Sequence, residues 1–299
     1  MIQPRKLSAG DRVMVVAPGG PLDRERFERG AAKLRSFGLL PIYDERLFAR
    51  EGYLAGSDAQ RLALLQAALD EPSSRAIWAA RGGYGLTRLL SKLRLRGLRE
   101  SPKLLVGFSD VTALHAALGS IGIGSVHGPN VGQIGELTPR ALERLTATVL
   151  SSLPPEPLGG ATPLHPGRAH GVLVGGNLTL LAALAGTPHL PSFSGAILLL
   201  EDIAERPYRL DRCLTQLRAS GALIGLRGLA LGAFTGCDDP PGGSTARQVF
   251  ERLAAELELP TAIGFPIGHI DDNCAVPLGV EVELDAGAGA LTFLSGLQA

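Results

Sequence analysis

A chain of 299 residues exceeds the usual reach of one hydrophobic core, so two domains are the first expectation, and 45% hydrophobic against 19% charged residues excludes a disordered chain. Lys plus Arg and Asp plus Glu both number 29, with no long basic run, which excludes the field that draws a protein to nucleic acid. No apolar run is long enough to span a bilayer and no signal-peptide core precedes Asp11 and Arg12, so a cytoplasmic protein without a membrane partner is expected.

In chain order, Arg12 to Ala17 reads as a strand ending in a turn at Pro18-Gly19-Gly20, and Phe27, Ala31, Leu34 and Phe37 then recur at helical spacing until Gly38. Leu39 to Tyr43 reads as a strand, Asp58 to Leu69 as a helix, Ala76 to Ala80 as a strand and Leu86 to Leu93 as a helix. Leu104 to Phe108 is a strand feeding a helix over Val111 to Leu118. Repeated βα units predict a parallel sheet with helices on both faces, an α/β domain over residues 1–150. Clustered Pro and Gly then mark residues 151–168 as a linker, and residues 169–299 read as a second, β-rich α+β domain. Cys213, Cys237 and Cys274 lie far apart without the close pairs of zinc or redox motifs, so reduced, mostly buried thiols and no metal site are expected.

Chemistry concentrates at Ser109, which falls on a strand-to-helix turn at the carboxyl edge of the parallel sheet, where ligands of open α/β folds bind and helix amides favour negative charge. Taken alone, Ser109 or Asp110 reads most simply as a helix N-cap. The nucleophile-elbow pattern G-x-S-x-G is broken by Val111, which disfavours the α/β-hydrolase fold but not the chemistry. A serine needs a base. His115 lies within the following helix, and His165, His170 and His189 lie in or near Pro- and Gly-rich loops, which leaves His127 and His269; the polar loop Gly264 to Asn273 favours His269. Glu201, directly after the apolar run Ile197 to Leu200, would sit at a strand rim where it could orient the base, with Asp202 the alternative on the opposite face. Gly82, Gly83 and Gly85 could offer amides to an oxyanion. They could equally form a plain turn, and neither a P-loop nor a full G-x-G-x-x-G is present to support a phosphate site.

Together these segments resemble the LD-carboxypeptidase family, the muramoyltetrapeptide carboxypeptidases or S66 serine peptidases. The resemblance runs nearly end to end, through Ala17-Pro18-Gly19-Gly20, Tyr53 to Asp58 with Arg61, Arg81-Gly82-Gly83-Tyr84-Gly85, Gly107-Phe108-Ser109-Asp110, His127-Gly128-Pro129, Gly175-Gly176-Asn177, Glu201-Asp202, Tyr208 to Arg212 and Gly268-His269. It implies Ser109 as nucleophile, His269 as general base, Glu201 as its orienting carboxylate, and the amides of Gly83 and Asp110 as oxyanion hole. It also implies a flavodoxin-like N-terminal domain followed by a β-rich C-terminal one, with the triad closing across an interdomain cleft. The implied reaction releases terminal D-alanine from a murein tetrapeptide in peptidoglycan recycling, with no cofactor, and the family's habit implies a homodimer. Arg81, Asn177 and Arg206 are candidates for the terminal carboxylate. Two rival readings stand beside this one: a microcin-immunity-type hydrolase of aminoacyl-nucleotide conjugates, and a noncatalytic nucleotide-binding α/β module. Trp78, in a buried-type strand, reads as core rather than as a base-stacking platform.

Overall fold

The computed structural model of the chain describes residues 1–299. The first half runs β1 (Arg12–Val16), α1 (Arg24–Ser36), β2 (Leu40–Ile42), α2 (Asp58–Asp70), β3 (Ser74–Ala79), β4 (Leu104–Gly107), α3 (Thr112–Ser120), β5 (Ser125–His127), α4 (Val131–Ile134) and α5 (Pro139–Leu150). Side chains cap the longer helices at their starts: Asp23 accepts from the Arg26 amide at 2.8 Å, and Thr138 from that of Ala141 at 3.1 Å ahead of Pro139. The strands β2-β1-β3-β4-β5 are parallel and adjacent in that order, the flavodoxin-like doubly wound arrangement.

The second half runs β6 (Thr162–His165), β7 (Arg168–Asn177), α6 (Leu178–Leu184), β8 (Ala196–Ile203), α7 (Pro207–Ala219), β9 (Gly228–Thr235), α8 (Ala246–Leu257), β10 (Thr261–Ile263), β11 (Val276–Leu278), β12 (Glu281–Asp285) and β13 (Ala290–Phe293). Its sheet has the order β13-β12-β7-β8-β9-β10-β6, parallel from β7 to β10 and antiparallel at both flanks. No helix is long and apolar enough to cross a membrane.

Helix α3 explains how the halves meet. Every residue from Thr112 to Leu118 is buried, because the helix packs against the first sheet on one side and against α6 and β7 on the other. One buried cluster therefore contains Ile77 and Leu105 of the first sheet together with Leu198 and Leu231 of the second, so the two halves share a core.

Three features depart from the sequence reading. The segment 151–168, read as a linker, contains β6, whose Pro163 is tolerated because β6 is an edge strand. Strand β11, though C-terminal, crosses back to pair antiparallel with β5 in the first sheet, again as an edge strand with a proline, Pro277. In place of a helix over Leu86–Leu93 there are two three-residue 3-10 turns, Leu86–Arg88 and Leu90–Lys92. The apolar spacing there buries Leu86, Leu89 and Leu90, but the backbone turns extended at Leu93. Cys237 and Cys274 are buried, Cys213 is half-buried, and all three are free thiols.

Candidate active site

Strand β4 delivers Ser109 to the edge of the first sheet in a backbone conformation with φ of 65°, a left-handed region that non-glycine residues rarely occupy. The neighbouring loop makes room for it: a Cβ placed on Gly82 would lie 2.8 Å from the Ser109 Cβ. The turn thus acquires the sharpness of a nucleophile elbow despite Val111, with the small residue supplied by the loop after β3.

From the second half, Glu201 lies in β8 opposite a bulge: Leu200 pairs with Leu231 and Asp202 with Phe234, so two residues of β9 face Glu201 alone. Bulges re-aim side chains, and here the carboxylate is turned toward the loop after β10. The Glu201 Oε2 atom accepts from His269 Nδ1 at 2.7 Å, and His269 Nε2 lies 3.1 Å from the Ser109 Oγ. A carboxylate accepts only, so the ring proton sits on Nδ1 and Nε2 is free to accept the serine proton. The histidine turn is pinned on three sides. Thr235 Oγ1 donates to the His269 carbonyl at 2.8 Å, the Gly268 amide donates to Asn273 Oδ1 at 2.9 Å, and the His269 ring lies 4.7 Å from that of Phe108.

Glu201 is fully buried, and burial pushes its carboxyl above the ordinary value while the His269 ring opposes that rise. Ser109 and His269 line an open cavity of about 460 Å³ together with Arg26, Arg81, Gly82 and Gly83. Arg26 and Arg81 outnumber the single carboxylate there, Asp23. Gly83 lines the cavity with Ser109, and Asp110 follows Ser109 directly in the 3-10 turn Ser109–Val111.

The other sequence-derived candidates separate in space. Arg81 lines the cavity, its guanidinium donating to the Pro21 carbonyl. Asn177 is buried, its amide nitrogen donating to Asp202 at 2.8 Å and its oxygen capping α6, and it does not line the cavity. Arg206 is exposed, pairs with Asp239 at 3.2 Å and stands outside the cavity lining as well. His127 is fully buried at the end of β5 with neither ring nitrogen bonded to protein, and burial holds it neutral, well below its ordinary value. His115 bonds Ser125 and the Gly107 carbonyl at 2.8 Å each. Three contributors were not identified from sequence. Asn273 and Thr235 brace His269, and Thr112 Oγ1 accepts from the Asn177 amide at 2.9 Å, joining the Ser109 turn to the second sheet. Asn273 alone had a signal, lying in the same polar loop as His269.

Gly268 has φ of 118°, and a Cβ there would fall 2.8 Å from Glu201 Oε2. Gly268→Ala is expected to push the carboxylate and imidazole apart and lower kcat about 100-fold, with a stability loss of about 1–3 kcal/mol from the strained backbone. Turnover and thermal melting of the one variant check both, and wild-type kcat would show that the glycine is not needed for this approach.

Residues 13–128 match the LD-carboxypeptidase N-terminal domain, and residues 170–284 match the LD-carboxypeptidase C-terminal domain. A murein tetrapeptide carboxypeptidase of Pseudomonas aeruginosa is 36% identical over 92% of this chain and 93% of its own. The crystal structure of muramoyltetrapeptide carboxypeptidase from Oxalobacter formigenes superposes with a TM-score of 0.85 at 32% identity, covering 96% of this chain and 99% of that one. An MccF-like protein from Bacillus anthracis gives a TM-score of 0.90 over 99% of this chain and 100% of its own, at 22% identity, a likeness of fold.

Proposed function

The chain belongs to the LD-carboxypeptidase family of serine peptidases, and we propose that it hydrolyses the L,D peptide bond that precedes a terminal D-alanine in murein tetrapeptide. The hydrogen-bonded series Ser109–His269–Glu201, whose first two members line the cavity, carries this reading. Relatives above 30% identity that are named murein tetrapeptide carboxypeptidase and muramoyltetrapeptide carboxypeptidase support the substrate. The microcin-immunity reading draws on fold likeness at 22% identity or less, and is the weaker of the two.

In the proposed reaction Ser109 Oγ attacks the carbonyl carbon of the L-centre while its proton passes to His269 Nε2. The oxyanion so formed is met by the amides of Gly83 and Asp110. As the intermediate collapses, the C–N bond breaks and His269 returns the proton to the departing D-alanine amine. Water then attacks the ester with His269 as base, releasing the tripeptide and restoring Ser109. Glu201 holds the ring in the accepting tautomer and stabilises the imidazolium. Arg81 is the candidate for the terminal carboxylate, since it lines the same cavity. Such an enzyme would act in the cytoplasm on peptides recovered from wall turnover.

Incubating the purified chain with murein tetrapeptide should yield free D-alanine and tripeptide in equal amounts. Cleavage of an aminoacyl-nucleotide conjugate without D-alanine release would replace this reading with the immunity-type one.

A further inference from the structure

The two amides beside Ser109 come from different βα units, Asp110 from the turn after β4 and Gly83 from the loop after β3. Stabilising an oxyanion requires such donors to be fixed relative to each other before the reaction. The Asp110 side chain makes the connection. It is fully buried and does not line the cavity, so it does not contact substrate. Its Oδ2 accepts from the Leu86 amide at 2.9 Å, three residues beyond Gly83, and its Oδ1 has no partner. Arg61, itself buried, holds the same loop by its other polarity. It donates to the Gly85 carbonyl at 3.1 Å and to the Pro18 carbonyl, and its second nitrogen pairs with Asp58 at 2.5 Å. A carboxylate is a costly way to accept from backbone amides, since a neutral side chain would do so without burying charge.

We propose that Asp110 is a positioning residue for the reaction, its carboxylate tying the loop that carries the Gly83 amide to the turn that carries Ser109 and the second amide. This rests on the serine-peptidase reading above. Burial raises the Asp110 carboxyl to about 6, against the opposing hydrogen bonds of the Leu86 and Gly85 amides and the charge of Arg61. At neutral pH the ionised form is therefore held against the preference of the fold, and as an ion it is a strong, charge-assisted acceptor.

Asp110→Asn and Asp110→Ala in the full chain, assayed with murein tetrapeptide at pH 7.5, test this. Asparagine keeps an acceptor oxygen without the charge and is expected to lower kcat about tenfold; alanine removes the acceptor and is expected to lower it about 100-fold or more. In both, KM should stay within about threefold of wild type, because the lost interaction acts on the intermediate. Asp110→Asn should also melt at a higher temperature than wild type. An acid raised in the folded state costs stability as pH rises through its folded value, so this gain should be full above about 6 and vanish near the ordinary 3.8. A purely structural role would instead lower kcat and melting temperature together. Wild-type kcat in Asp110→Asn, a loss under threefold in Asp110→Ala, or losses confined to KM would each overturn the proposal. Should Asp110→Ala fail to fold, the asparagine variant decides alone. A wild-type chain that releases no D-alanine would sink the peptidase reading itself, whereas an active wild type with unimpaired variants sinks only the role of Asp110.

Discussion

Ser109→Ala is expected to lower kcat for D-alanine release by about 10⁶-fold, leaving about 10³-fold over the uncatalysed reaction from binding and oxyanion contacts alone. The size follows from the series of contacts. The serine Oγ is the atom 3.1 Å from His269 Nε2, and removing it leaves the base and Glu201 with no proton to take. Binding should survive, because the cavity walls contributed by Arg26, Arg81 and Gly83 are untouched. Folding should survive too, since alanine occupies the same backbone with one atom fewer and leaves a change within about 0.5 kcal/mol. Tetrapeptide affinity by calorimetry, melting temperature and turnover on one preparation separate these effects. A rate within tenfold of wild type would remove Ser109 from the chemistry.

The parts of this architecture that were legible in sequence are those written in local pattern. The strand-turn-helix signature around Ser109 and the alternating βα units foretold the parallel sheet, and the polar loop around His269 stood out by composition. What stayed hidden is non-local. Strand β11 is three residues long, too short to show a period, and only the fold reveals that Val276–Leu278 pairs with β5. The Pro-rich segment concealed β6 because proline argues against a central strand while remaining compatible with an edge. The apolar spacing of Leu86, Leu89, Leu90 and Leu93 is helical, yet the backbone turns extended at Leu93 and leaves only short turns. A division into two domains followed from length, whereas the burial of α3 between them, in a core that both halves share, did not. The bulge that aims Glu201 depends on the register between β8 and β9, which no single strand encodes. The Thr112–Asn177 bond likewise exists only once the two halves are packed.

Glu201→Gln is expected to cost about 10⁴-fold in kcat, although the replacement has nearly the same shape. An amide in place of Oε2 can donate to His269 Nδ1, and the proton would then favour Nε2, the position that must accept from Ser109. The neighbouring carboxylate cannot take over. Asp202 points to the other face, where Oδ1 accepts from Asn177 at 2.8 Å and Oδ2 from the Thr179 amide and hydroxyl at 2.9 and 2.8 Å. Stability should move the opposite way to activity. Glu201 is fully buried, its Oε1 has no partner, and burial raises its carboxyl, so the ionised form is disfavoured by the fold and its stability contribution falls as pH rises through the raised value. Removing that ionisation should therefore keep the melting temperature of Glu201→Gln at or above wild type in neutral buffer. The expected pairing is an enzyme at least as stable and about 10⁴-fold slower. A variant that is both slower and markedly less stable would assign Glu201 to holding β8 in place instead of holding the histidine tautomer.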